Sequence, residues 1–432
     1  MKIDAVSDAG DLRSGAVCDK VRQNNESLCD MRMGRKRNAT LRKDGRWQVY
    51  AKIGDSRKAC YGRTEYKANY AADIKEAQYK GDEVVLERIV GDQRYLFENC
   101  FYRYRNYLLF YTSLTSETVD RYENTYNRYF PGSILNKMDV RKMDSAAISN
   151  FMINILKKYN QITNKEWQRI KHIIKATIGF IFDEELDDIL DGEIPVIDWE
   201  KIKKKASAYG KIYKPVRRQY AVSAPEKQIL QDKILNENVY PEKFAHVLML
   251  LINFSLGLRI GELAALKVED IDLIRHVVYV NDSCKSYKKR DEYGNAVGGY
   301  VHTVGGTKTP KGKRMIPMSY NAQKLFAVLL QYRKDKGYQS RYLAYDGEET
   351  AARAKSMSKI LKTLCARTEI DNFTSHIIRK SFATALSCCP DIDIATISEY
   401  LGHAQVSTTV DNYLIPARET IEDRIKKISQ MV

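Results

Sequence analysis

The sequence predicts a multidomain, mainly α chain: a small N-terminal three-stranded β-sheet plus helix, a helical middle domain, and an α+β C-terminal domain with a β-hairpin and sheet. Three observations carry this. The 432 residues exceed what one hydrophobic core organises and suit roughly two to four domains. Trp47, Val49, Ala51 and Ile53 alternate with Arg46, Gln48, Tyr50 and Lys52, the period-two pattern of a half-buried strand. Apolar residues recur at helical spacing from 95 to 182, whereas residues from 223 onward mix helical stripes with short β-branched runs.

Residues 1–33 are polar and aperiodic, and read as disordered or as lying upstream of the true start, since Met31 and Met33 immediately precede the first patterned stretch. "KDGR" (43–46) and "GDSR" (54–57) are turn signals flanking the alternating strand, and a helix is expected over roughly 64–80, so 34–82 forms the first domain. From Arg35 to Arg63 there are ten Lys/Arg against two Asp, which suits the face carrying Arg46, Gln48, Tyr50 and Lys52 to a nucleic-acid backbone. The competing reading is a solvated strand face. In the helical domain, 95–185, Asp144 and Asn164 are the expected caps of two helices. Ile170, Ile173, Ile174, Thr177, Ile178 and Ile181 make one packing stripe, with His172 as a boundary residue. Residues 183–200 then hold nine acids and no Lys/Arg, and 201–218 hold eight bases and no acids. Blocks of like charge stay extended, so 186–222 reads as an interdomain linker. Its basic half (Lys203, Lys204, Lys205, Arg217, Arg218) either follows a phosphate backbone or is merely solvated.

In the last domain, 223–432, helices are expected over 225–235 and 242–257, the second ending at Gly257, and "RIGELAALKVEDID" is a short helix running into a turn. Strands are expected at 276–281, 300–309 and 313–319, the last two joined by a "PKG" turn. Residues 282–299 lengthen the hairpin, and their basic start, "KSYKKR", either touches DNA or is a solvated loop. Four or more helices follow. The net charge of +16 favours a polyanionic partner without deciding which. Eight dispersed cysteines without a C-x-x-C pair, and six scattered histidines, give no zinc site and fit reduced thiols in a cytoplasm. The N-terminus has no apolar signal region, and the most apolar run, 245–258, is too short to span a bilayer, so no membrane role is expected.

One constellation stands out. In "SHIIRKSFATAL" (375–386), Ser375 can cap a helix that buries Ile378, Phe382 and Ala385, while His376 and Arg379, at i and i+3, project together from another face. Alone, such a pair is a surface feature. It is joined by Arg259, just after the glycine stop, with Glu262 one turn on; by Lys308 at the expected hairpin tip; by His403, which follows Gly402; and by Tyr413 ten residues later.

The joint pattern resembles the tyrosine recombinase (phage integrase) family, most closely the integrases of Gram-positive conjugative transposons. It stands here as "GLRIGELAAL", "TKTPKGKRMIP", "HIIRKSFAT", "LGHAQ" and "DNYL", in the family's order, and the resemblance covers nearly everything past residue 34. Lys380 departs from it where many relatives have His. The resemblance implies an arm-site DNA-binding domain at 34–82, a core-site DNA-binding domain at 95–185 and a catalytic domain with a C-terminal oligomerisation tail at 223–432. It implies a site-specific recombinase that cuts and rejoins DNA through a 3′-phosphotyrosine, integrating and excising a mobile element without metal, ATP or cofactor. Tyr413 would be the nucleophile. Arg259 and Arg379 would clamp the phosphate, and His376 would assist deprotonation. Lys308 would be the general acid, with Lys311 and Lys313 as competitors. His403 would donate to a non-bridging oxygen, and Glu262 would be a buried orienting partner. Implied partners are double-stranded attachment sites, a homotetramer on two duplexes and a small excision factor. The tail residues Ile421, Ile425 and Ile428, at helical spacing, either dock on a neighbouring protomer and control Tyr413 or pack on their own domain. A chromosome-dimer resolvase or type IB topoisomerase would share the chemistry, and a non-catalytic DNA-binding regulator is the rival of a different class.

Overall fold

The strand alternation and the turn residues build the first element group. In the computed structural model, which describes residues 35–185, 196–215, 221–307, 310–344, 351–371, 373–403 and 405–413, strands β1 (Thr40–Leu41), β2 (Trp47–Ile53) and β3 (Ser56–Gly62) form one antiparallel sheet in that order. Helix α1 (Glu65–Lys80) starts at Thr64, whose side chain accepts from the Lys67 N–H, and stops at Gly81 in the left-handed region. Val49, Ala51 and Cys60 pack on Ala68 and Ala72. A Cβ at Gly62 would lie 2.3 Å from the Ala68 nitrogen, so only glycine lets the strand end ride over the helix. Gln48, Tyr50 and Lys52 therefore occupy the sheet face away from this core, with Arg46 exposed at its end; Tyr50 is 51% exposed.

The chain forms two units: Met1–Pro215 with Tyr287–Tyr300, and Val216–Ser286 with Val301–Val432. In the first unit follow α2 (Glu83–Ile89), α3 (Phe97–Tyr111), α4 (Ser116–Tyr129), α5 (Ser145–Tyr159), the short strand β4 (Gln161–Thr163) and α6 (Asn164–Phe180). Asp144 caps α5 as expected. The cap of α6 is Thr163, one residue before the expected Asn164, because Thr163 and Glu166 satisfy each other's backbone N–H in a capping box. The isoleucine stripe is buried throughout, in a core with Trp167, Phe101 and Phe130; His172 is exposed.

The expected extended linker is not what forms at 196–215. Asp198 caps α7 (Trp199–Ala206), which buries Ile202 and Ala206, and β5 (Lys211–Tyr213) pairs in parallel with β4. The charge blocks are ordered acid first, base last, so they complement the helix dipole while Ile202 and Ala206 supply the apolar stripe. Lys203, Lys204 and Lys205 form the last turn of α7. Arg217 and Arg218 lie outside the described residues, as do 1–34 and the tail from 414.

In the second unit, Ser223 and Glu226 form a capping box for α8 (Ala224–Leu235). The apolar α9 (Phe244–Ile252) and the short α10 (Ile260–Ala265) form the centre of the core. The strands are β6 (Ile271–Asp272), β7 (Val277–Val280), β8 (Asp282–Arg290), β9 (Ala296–Gly306) and β10 (Arg314–Pro317), of which residues 287–300 of β8 and β9 and the turn between them belong to the first unit. The expected pairing of the last two strands is replaced: β10 pairs with β7, order β10-β7-β6, and β9 pairs with β8. Ile316 opposite Val278 gives β10 a buried partner, whereas the outer half of β9 is exposed. Helices α11 (Tyr320–Asp335), α12 (Ala354–Thr368), α13 (Ser375–Ser387), α14 (Ile394–Leu401) and α15 (Val406–Tyr413) complete the unit. No helix among the described residues is long and apolar enough to cross a membrane.

The excursion at 282–299 is neither a solvated loop nor free to offer all its bases to DNA. Within the first unit, Lys288 pairs with Glu123 at 2.6 Å, and Arg290 pairs with Asp120 and with Glu123, the latter at 3.0 Å. Arg105 reaches both Glu123 and the Asn295 side chain, at 2.9 and 3.1 Å. Burial works to raise the Glu123 pKa, but Arg105, Arg290 and Lys288 outweigh it and hold the group down at about 2. Replacing Glu123 by Ala leaves Arg105 buried without its counter-charge and is expected to cost about 3–5 kcal/mol. Urea unfolding followed by tryptophan fluorescence checks this, since Trp47, Trp167 and Trp199 all lie in the first unit.

Candidate active site

The site in the second unit is built on a glycine corner. Gly257 has φ +61, and a Cβ there would lie 2.2 Å from the Phe382 ring, so the chain turns here only as glycine. Two residues on, Arg259 starts α10. Its backbone N–H donates to the Glu262 carboxylate at 3.0 Å, its Nη1 donates to the same group at 2.7 Å, and its Nη2 donates to the Gly402 carbonyl at 3.1 Å. The Arg259 side chain remains 45% exposed, so one side of a rigidly held guanidinium faces outward.

Glu262 is buried and shared. Arg314 on β10 donates to it at 2.9 Å and also holds the Gly312 and Tyr400 carbonyls, at 2.9 and 2.6 Å. Burial alone would raise the Glu262 pKa, but Arg314, then Arg259 and Arg379, keep it below the usual carboxylate range. Glu262 is therefore an anion that aligns two arginines and not a proton donor at neutral pH.

Arg379 is 1% exposed. Its Nη1 donates to the Gly257 carbonyl at 2.8 Å, and its Nη2 donates to the Leu401 carbonyl and meets His403 Nε2 at 2.9 Å. His403 is buried just after Gly402, whose φ of +63 ends α14 and whose missing side chain makes room for Arg314. Burial, followed by Arg379, Arg259 and Arg314, pushes the His403 pKa down to about 3. The imidazole is neutral. Because a guanidinium can only donate, Nε2 accepts, the ring proton sits on Nδ1, and it is donated to the Thr409 hydroxyl at 2.7 Å. In this state His403 has no Nε2–H to offer a phosphate, which differs from the expected donor role; the reason is the inward turn of Arg379.

Arg259, Glu262, Arg379 and His403 are thus brought together. His376 is exposed at the start of α13, while Arg379 and Lys380 are buried, so the i, i+3 pair divides between surface and interior. The cap of that helix is Thr374 and not Ser375, and Ala385 is exposed. Lys308 lies outside the described residues; Lys311 and Lys313 are exposed in and beside the 3-10 turn Pro310–Gly312. Tyr413 is the last residue of α15, and nothing of its side chain is described. Sequence reasoning missed Arg314 and Thr409. Arg314 had a signal, a charge at i−2 from the buried Ile316 on a strand. Thr409 had none, as one hydroxyl among Ser407, Thr408 and Thr409.

Comparison with known proteins fits this geometry. The profile of the phage integrase family matches residues 226–419. The integrase of Staphylococcus phage L54a is 25% identical over 69% of this chain and 81% of its own length. The ICEBs1 integrase of Bacillus subtilis is 25% identical over 64% of this chain and 68% of its own. Among solved structures, the Tn1549 transposon integrase in complex with a circular intermediate DNA is 18% identical, with a TM-score of 0.56 over 77% of this chain and 99% of that one. The post-cleavage complex of the XerH site-specific recombinase gives 0.55 at 14% identity, over 78% and 98%. These two likenesses are of fold.

The depressed His403 pKa fixes a sign. The unfolded chain binds a proton at this histidine near pH 6.5 and the folded chain does not until far lower, so stability is complete above 6.5 and falls as the pH drops. The contribution is at most about 1.4 kcal/mol per pH unit. Unfolding followed by circular dichroism between about pH 6.5 and 4.5, above the carboxylate range, is expected to show a shallower slope for His403→Asn than for the wild type.

Proposed function

We propose, from the premise that residues 226–419 are a phage integrase family domain, that this chain is a site-specific tyrosine recombinase, the integrase of a mobile element, acting on double-stranded DNA. The observation that carries the reading is the convergence of Arg259, Arg379 and His403 around the Gly257 and Gly402 corners, anchored by Glu262 and Arg314.

A phosphodiester resists attack because its anionic oxygens repel a nucleophile. Arg259 offers its outward guanidinium to one non-bridging oxygen, and Arg379, released from the carbonyls that now hold it, takes another. The Tyr413 oxygen then forms a bond to phosphorus while the bond to the 5′-oxygen breaks. The phenol's proton leaves through His376. The departing 5′-oxygen gains a proton from Lys308, a titratable ammonium suited to that task. Lys308 is preferred over Lys311 and Lys313 because its sequence spacing to Pro317 matches the family. The phosphotyrosine ester conserves the energy of the broken bond, so a second strand's hydroxyl reverses the step without ATP, and the two guanidiniums supply the positive charge that a metal would otherwise bring.

Strand exchange between two duplexes calls for four protomers, with the tail beyond Tyr413 as their linker and a small factor setting direction. The face of Arg46, Gln48, Tyr50 and Lys52 is the arm-site surface of this reading, and Lys203–Lys205 an additional backbone contact.

On a nicked duplex carrying the element's joined ends, the wild type is expected to form a covalent protein–DNA adduct and Tyr413→Phe none, read by denaturing gel. Equal behaviour of the two sinks the reading. Arg379→Lys is expected to slow adduct formation roughly 10³–10⁵-fold, the size of one arginine's contribution in other phosphoryl transfers.

A further inference from the structure

The recombinase reading leaves a conflict. His403 is useful to a phosphate only as an Nε2–H donor, yet the structure holds it as an Nε2 acceptor, with its proton on Nδ1 facing Thr409. Thr409 is 0% exposed, and it stands one turn before Tyr413 on α15. Its hydroxyl has one property that the surrounding groups lack. Arg379, Arg259 and Arg314 can only donate and the Glu262 carboxylate can only accept, but a hydroxyl does either by rotating one bond.

We propose that Thr409 is a positioning residue for the recombination reaction, the partner that satisfies His403 in both of its neutral tautomers. In the free site the hydroxyl accepts from Nδ1–H. When a scissile phosphate draws Arg379 away from Nε2, the hydroxyl rotates and donates to Nδ1, so that Nε2–H points at a non-bridging oxygen. The exchange balances: the ring gives the Nδ1 proton to water and takes one from water at Nε2, its charge is unchanged, and Thr409 keeps its own hydrogen. Because Thr409 belongs to the helix that ends at Tyr413, the switch also ties the nucleophile's helix to the state of the phosphate clamp. This inference rests on the recombinase reading for its phosphate; the free-state tautomer stands apart from it.

The test compares Thr409→Val, which keeps the shape and loses the hydroxyl, with Thr409→Ser, which restores it. On the nicked duplex, Thr409→Val is expected to form adduct about 10–100-fold more slowly, the size of one buried hydrogen bond left unmade, with DNA affinity in a mobility-shift assay little changed and the thermal midpoint lowered, since Nδ1–H loses its acceptor in the free protein as well. Thr409→Ser is expected to recover to within about threefold of wild type, well inside the loss from one missing bond. Valine as fast as threonine, or serine as slow as valine, overturns the proposal while the Tyr413→Phe comparison still upholds the reading. A second measurement does not need activity. Nitrogen-15 spectra of imidazole-labelled protein, with His403 identified by its loss in His403→Asn, are expected to show the Nδ1–H tautomer in free protein and Nε2–H after the duplex is added to Tyr413→Phe protein. An Nε2–H tautomer in the free protein, or no change on adding a duplex that binds, overturns the proposal even if the wild type forms no adduct.

Discussion

The second unit depends on one buried cation. Arg379 is closed off from water, and a guanidinium survives there only if its donors find acceptors. It finds them in the Gly257 and Leu401 carbonyls and in His403, which are 122, 22 and 24 residues away along the chain. Those bonds fix where the glycine corner, the end of α14 and the histidine stand relative to α13. They also shape the chemistry of His403, since burial, and then a permanent positive charge at 2.9 Å, keep the ring neutral, and that charge occupies its Nε2 lone pair.

The remaining charges follow from the same constraint. Three arginines around one histidine would repel one another, and Glu262 is the buried anion that balances them. It binds Arg259 and Arg314 directly and lowers the cost of Arg379 through its field. The site is thus held by ion pairs on the Glu262 side and by uncharged acceptors on the His403 side. Arg259 is held by a carboxylate and partly open, whereas Arg379 is held by carbonyls and a neutral ring that an anion could displace.

The first unit solves a like problem with opposite signs. Asp120 and Glu123 on α4 are buried acids; Arg105 on α3 supplies one base for Glu123, and the others come from the β8–β9 hairpin, far away in sequence. The chain therefore enters the first unit twice, once through residues up to 215 and again at 287–300. Gly294 makes the approach possible: with φ +79, it has Asn106 Oδ1 only 2.7 Å from where its Cβ would be.

Local rules made much of this legible in the sequence. The β2 alternation, the Thr64 to Lys80 helix, the α6 stripe and the Gly257 corner depend on neighbours within a turn or two, so spacing alone determined them. The grouping of Arg259, Glu262, Arg379 and His403 was legible only through resemblance to a family, because nothing local joins residues more than a hundred positions apart. Tertiary structure alone decided the rest. The charge blocks at 196–215 fold as α7 and β5 because their apolar residues find a core, and β9 abandons β10 because β7 offers Ile316 a buried neighbour. The proton of His403 rests on Nδ1 because a donor from a distant helix occupies Nε2. A sequence states which groups can donate or accept; only the fold states which of them meet, and it is the meeting that assigns burial, charge and tautomer.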